Sequence, residues 1–239
     1  MSFIITLYVR EGLVMAADSR LTLNATQQQP GQSVINLAVT QSDASNKLFL
    51  APGAIGIATC GAADSQGIPI AGYIEAFIAE ELQPRSVEVD AVPQRLLAYF
   101  QRHAQPPETT FLIAGYKTES GRRVQHVWRV RVQTGEISRV NAAGEIGATW
   151  DGEGDILQRL MFQAWIQDEQ GAFQALPKYD YPLQFFTLQD AIDFAVYAQR
   201  MTIDSLRFQT RPKTVGGPID VLVMKPDGAI WVQHKSLHA

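Results

Sequence analysis

Ser2 carries two groups that could do chemistry together. If Met1 is removed, a hydroxyl and a free α-amine share one residue. A serine hydroxyl is a poor nucleophile at neutral pH unless a base lies within hydrogen-bond reach, and a terminal amine can be that base. The amine's reference pKa is about 7.7–8.0, so a useful fraction is neutral near physiological pH. Behind Ser2 come a short apolar run, a Gly turn and the box Ala16-Ala17-Asp18-Ser19-Arg20. Asp18 needs a partner if it is buried in that hairpin; left exposed, it reads as a turn carboxylate at a strand end. Arg20, two residues on, faces the same side of a strand.

Other constellations do not form. The four histidines, His103, His126, His234 and His238, are scattered without zinc spacing. There is no G-x-S-x-G elbow and no phosphate loop. No metal or organic cofactor is therefore expected. Trp128, Trp150, Trp165 and Trp231 are expected to pack rather than to form a stacking platform. A net charge of −4 gives no electrostatic case for nucleic acid or an anionic membrane as partner. Cys60 is the single cysteine, which excludes an intrachain disulfide and suits a reducing compartment. No apolar run approaches the roughly 20 residues that cross a bilayer, and Phe3 to Val9 is too short for a signal peptide's apolar core. A cytoplasmic protein is expected.

The elements that must position Ser2 follow from patterning. Phe3 to Val9, the turn Arg10-Glu11-Gly12, and Leu13 to Leu23 predict a hairpin. The polar stretch Asn24 to Asn46 predicts a long loop, with a short strand at Val34 to Val39 as the alternative. Lys47 to Leu50 and Ala54 to Cys60 predict another strand pair. Gly61 to Leu82 predicts a helix that Pro69 kinks or delays. Val92 to His103 predicts a second helix, and Thr109 to Tyr116, Val124 to Val132 and Ile137 to Val140 predict strands. Ile156 to Ile166 has helical spacing. Thr187 and Asp190 resemble a capping box that opens a helix to about Phe208. Ile219 to Met224 and Ile230 to His234 close the chain as a hairpin. Segregated strands and helices of this kind indicate the α+β class, and residues 1–239 are expected to form one domain.

These residues carry a family likeness. Ser2 to Thr22, then Asn46-Lys47-Leu48-Phe49, then Ala58 to Gln66 resemble the opening of a proteasome β-type subunit, one of the N-terminal-nucleophile hydrolases. Gly152-Glu153-Gly154 and Val215-Gly216-Gly217 fall where the family has equivalents. The serine directly behind Met1 looks most like the bacterial proteasome-related proteins, including the ancestral β subunit (Anbu) group. The resemblance implies a four-layer αββα sandwich and a peptidase or amidohydrolase. Ser2 would be the nucleophile, Lys47 the cation that favours its deprotonated form, and Asp18 the carboxylate that orients Lys47. The oxyanion donor would be an N–H near Cys60-Gly61, with Gly61 favoured. Cys60 itself reads as a buried, inert thiol. Leu21, Phe49 and Thr59 would line the substrate pocket. The resemblance also implies self-association into a ring or stack around a peptide or other amide substrate. An ATP-dependent unfolding partner is left open, since no residue argues for one.

Two departures from the family pattern bear on activity. Glu153 stands where the family often has serine. Pro212 and Val215 stand where it has an Asp and a Ser, and Asp204 does not align with either role. A catalytically inactive assembly subunit is therefore the competing reading.

Overall fold

Continuous apolar runs at the start of the chain require a sheet covered on both faces. A computed structural model describes residues 2–27, 35–83, 87–102 and 105–236. β1 (Phe3–Val9) and β2 (Gly12–Ala17) form the expected hairpin, with Ile4 opposite Ala17, and every residue of both strands is buried. β3 (Leu21–Gln27) and β4 (Ile35–Ser42) pair as a separate ribbon. β5 (Leu48–Ala51) and β6 (Ile55–Gly61) make a second hairpin. The short ladder of β7 (Asp64–Ser65) and β8 (Ile68–Pro69) leads into α1 (Ile70–Phe77), which continues as a wider π turn over Ile78–Leu82. α2 (Val92–Gln101) holds Pro93 in its first turn, where a missing N–H costs nothing.

The second half follows the same logic. β9 (Thr109–Glu119), β10 (Arg122–Arg131) and β11 (Glu136–Arg139) form a meander, and β12 (Gly147–Gly152) returns to pair with β1. α3 (Asp155–Met161) precedes a small hairpin of β13 (Trp165–Gln167) and β14 (Phe173–Ala175). α4 (Leu188–Phe208) is followed by β15 (Asp220–Lys225) and β16 (Gly228–Gln233).

Two five-stranded antiparallel sheets result, ordered β12-β1-β2-β15-β16 and β11-β10-β9-β6-β5. Buried side chains fall into three clusters. One lies between the sheets and includes Ile4, Met15, Leu112 and Leu222. A second joins the first sheet to α4 through Ile5, Val14, Ala195 and Ala198. The third joins the second sheet to α1 and α2 through Ile57, Phe77, Phe100 and Phe111. The chain is thus α+β, with helices against antiparallel sheets. Among the described residues, no helix is long and apolar enough to cross a membrane.

Some expectations are corrected. The loop expected over Asn24 to Asn46 is largely the β3–β4 ribbon, so the alternative strand is the better reading; residues 28–34 lie outside the described residues. The helix expected from Gly61 begins only at Ile70, directly after Pro69. The helix expected to run from Ile156 to Ile166 stops at Met161, where Phe162 turns extended. The residues beyond it form a hairpin instead: Asp168 Oδ1 accepts the N–H groups of Gln170 and Ala172 at 3.0 and 2.8 Å, which closes a turn between β13 and β14. Trp165 therefore stands 59% exposed on that hairpin, whereas Trp128, Trp150 and Trp231 pack against the clusters as expected.

Candidate functional site

The hairpin register places Asp18, one residue past β2, beside the start of β1. The Phe3 N–H donates to Asp18 Oδ1 at 3.1 Å. Lys47, which immediately precedes β5, donates from Nζ to both carboxylate oxygens at 2.9 Å. The backbone N–H groups of Arg20 and Gly216 complete the set on Oδ2 at 3.1 and 3.0 Å. Asp18 has no exposed surface and Lys47 is 5% exposed. Burial pushes the Lys47 ammonium below the ordinary lysine pKa, and the Asp18 carboxylate pulls the other way. Beside this pair, Asp220 sits opposite Ala17, also fully buried, and is paired with Lys235.

Ser2 and Lys47 line a small cavity together with Thr22, Thr59, Gly61 and Ala63. Its volume is about 20 Å³, room for about one water molecule. Gly61 sits at φ +113°, and a Cβ there would lie 2.3 Å from the Glu108 carbonyl oxygen. Only glycine fits this position. A larger cavity of about 870 Å³ shares the Cys60–Ala63 wall and extends to Asp64, Glu108 and Asp151. Cys60 is buried as expected; burial, followed by the nearby Asp151 carboxylate, pushes its thiol up and away from reactivity. Leu21 and Thr59 line the Ser2 cavity, but Phe49 does not. The β5 pleat turns Phe49 into the cluster under α1 and α2 instead.

The four residues expected from the sequence, Ser2, Asp18, Lys47 and Gly61, therefore converge. Sequence reasoning did not find the loops that clamp them. The Ser19 N–H donates to Gly216 O and the Ser45 N–H to Ser19 O, both at 3.0 Å. The Arg20 guanidinium takes both Asp43 oxygens at 2.6 and 2.7 Å and reaches Lys213 O at 3.3 Å. Asp43 raises the Arg20 pKa and is itself held low by that hydrogen bond. Ser2 is fixed from the other side, where its carbonyl accepts the Glu153 N–H at 2.8 Å. Gly152 makes this approach feasible: at φ +89°, any Cβ would stand 1.8 Å from Ser2 O. Such contacts run between segments far apart in the chain, and only the paired glycines hinted at them.

Of the departing positions, Glu153 is buried and accepts from Thr214 Oγ1 at 2.9 Å, with Arg211 Nη1 at 3.3 Å. Val215 packs into the α4 cluster and Pro212 gives only its carbonyl to the Thr214 N–H. Asp204 is exposed on α4. Met1, His103 and His238 lie outside the described residues. Among the described residues, no group of three or more His, Cys, Asp or Glu side chains could hold a metal ion. No family model matches the chain, and no curated protein matches it.

Proposed function

We propose that the chain is an amide-bond hydrolase of the N-terminal-nucleophile class, similar to proteasome β-type subunits, acting through Ser2 once Met1 is removed. The same proposal takes the two sheets and three clusters as a four-layer αββα sandwich. One observation carries it: the buried Lys47–Asp18 pair, with the Phe3 N–H on the same carboxylate, beside the cavity that Ser2 lines. A buried ion pair offsets its desolvation only through close geometry and further hydrogen bonds, and the Phe3 N–H fixes this pair directly behind Ser2.

In the proposed reaction, Ser2 Oγ attacks an amide carbonyl carbon while its proton passes to the α-amine. Lys47 favours the unprotonated amine through its charge, and the backbone N–H at Gly61 is the proposed oxyanion donor. Collapse of the tetrahedral adduct breaks the C–N bond. The departing amine takes the proton back, and an ester on Ser2 remains. Water then cleaves the ester and regenerates the serine. Self-association in a ring or stack belongs to the same proposal. The exposed Trp165, Ile166 and Phe173 on the β13–β14 hairpin support it.

The test is intact-mass measurement after treatment with a β-lactone, on protein whose free Ser2 amine has been verified by N-terminal sequencing. A single covalent adduct is expected, and Ser2→Ala should abolish it. No adduct on the verified protein overturns the reading. One observation favours a second reading, an inactive assembly subunit: the Ser2 cavity holds little more than a water molecule.

A further inference from the structure

We infer that the Glu153 carboxylate is a positioning residue, a latch that joins the two walls of the Ser2 site. The inference rests on the proposed role of Ser2. Glu153 belongs to the first wall, because its own N–H holds the Ser2 carbonyl at 2.8 Å. Its carboxylate reaches the second wall, taking the Thr214 hydroxyl at 2.9 Å and Arg211 at 3.3 Å. Two residues beyond Thr214, Gly216 donates its N–H to Asp18 Oδ2 at 3.0 Å and accepts the Ser19 N–H on its carbonyl at 3.0 Å.

A continuous path therefore runs from the nucleophile's carbonyl, through Glu153 and Thr214, to the donor that holds Asp18 and so Lys47. Arg211 fastens the path to the start of α3 with a second arm on Asp155 at 3.0 Å. Thr214 is 2% exposed and Glu153 is 9% exposed, so neither group is a solvated surface contact. A buried carboxylate here is worse for packing than an apolar side chain of the same size. Its use is geometric. The β1–β2 ladder sets Ile4 opposite Ala17, and the carboxylate adds a side-chain tie past the end of that ladder, between the residue that holds the Ser2 carbonyl and the Gly216 loop that holds Asp18.

Amide hydrogen exchange read together with β-lactone labelling of the full chain tests this. Thr214→Val keeps the volume and removes the hydroxyl, while Glu153→Gln keeps the shape and removes the charge. Both should lower protection of the Gly216 amide tenfold or more, with the Val14 and Leu222 amides unchanged as controls for the sheet. The maximal labelling rate at Ser2 should fall about tenfold or more, with the lactone concentration for half-maximal rate within twofold of wild type. Thr214→Ser, which retains the hydroxyl, should restore both. Unchanged Gly216 protection in both variants overturns the latch. Lost protection with undiminished labelling overturns its service to Ser2. If wild-type protein with a free Ser2 takes no label, the proposed function falls, and the exchange result alone decides the latch.

Discussion

At Asp18 every neighbour is a donor. Phe3, Arg20 and Gly216 offer backbone N–H groups and Lys47 an ammonium, so both carboxylate oxygens are spoken for. The two halves of the pair are therefore not equivalent to substitution. Lys47→Met keeps much of the length and leaves Asp18 its three backbone donors; breaking a buried pair from one side costs about 3–5 kcal/mol, and this variant belongs near the lower end. Asp18→Asn turns an amide NH₂ toward groups that are themselves donors and leaves the Lys47 ammonium buried without its counter-charge. It should lose more stability than Lys47→Met. Urea denaturation of both variants checks the order, and a more stable Asp18→Asn would show that the carboxylate's charge is not what the site requires. Asp18 and Lys47 were legible through the family resemblance carried by the Ala16–Arg20 box and the Asn46–Phe49 segment. Glu153 and Thr214 were not, because their partnership depends on two loops meeting in space, 61 residues apart in sequence.

At the scale of elements, local signals were read well and tertiary ones poorly. The Thr187 capping box needs only residues three apart, and it forms as expected: Asp190 N–H reaches Thr187 Oγ1 at 3.2 Å and Thr187 N–H reaches Asp190 Oδ2 at 2.8 Å. The β1–β2 hairpin was equally plain, since unbroken apolar runs around a glycine turn admit few alternatives. By contrast, β12 was not anticipated. Gly147 to Gly152 has little apolar character of its own, and it is a strand because the edge of β1 demands a partner. The α3 pattern was overrun for a related reason, as period alone does not show where a turn such as Asp168–Gly171 intervenes. Because the cap stabilises only the start of α4, Thr187→Ala should cost about 1 kcal/mol and lower Tm by about 2–4 °C. The middle of that helix contributes Gln199, whose amide donates to the carbonyls of Phe3 and Ala16 at 2.9 and 3.1 Å. These bonds hold the helix to the site strands independently of its cap, so labelling of Ser2 should be unaffected by Thr187→Ala. A loss of labelling that tracks the lost cap would mean that the helix and site move as one.

For the whole molecule, the polar groups enclosed by the sheets govern how folding responds to acid. His126 on β10 is 2% exposed, with Nε2 at 2.7 Å from Glu119. Burial holds its imidazole below the ordinary value of 6.5, against the pull of the Glu119 hydrogen bond. The sign of the consequence is fixed by which state binds the proton. Above about 6.5 both the folded and unfolded chains carry neutral His126, and its contribution is fully present. As pH falls through 6.5 the unfolded chain takes up a proton that the folded chain still refuses, so stability is lost until the lower folded value is passed. One proton sets a ceiling of about 1.4 kcal/mol per pH unit on this slope. Asp43, Asp90 and Asp190, held low by Arg20, Lys117 and Thr187, contribute in a separate window: their stabilisation is present above the ordinary carboxylate value and disappears only below it. Denaturation free energies measured from about pH 7.5 down to about 5.5 thus avoid the carboxylates, and the difference between wild type and a His126 variant isolates that histidine. Wild-type protein should lose stability across that range, and His126→Asn, which cannot gain a proton, should show a flatter profile. Equal slopes in the two proteins would place the acid sensitivity in another group.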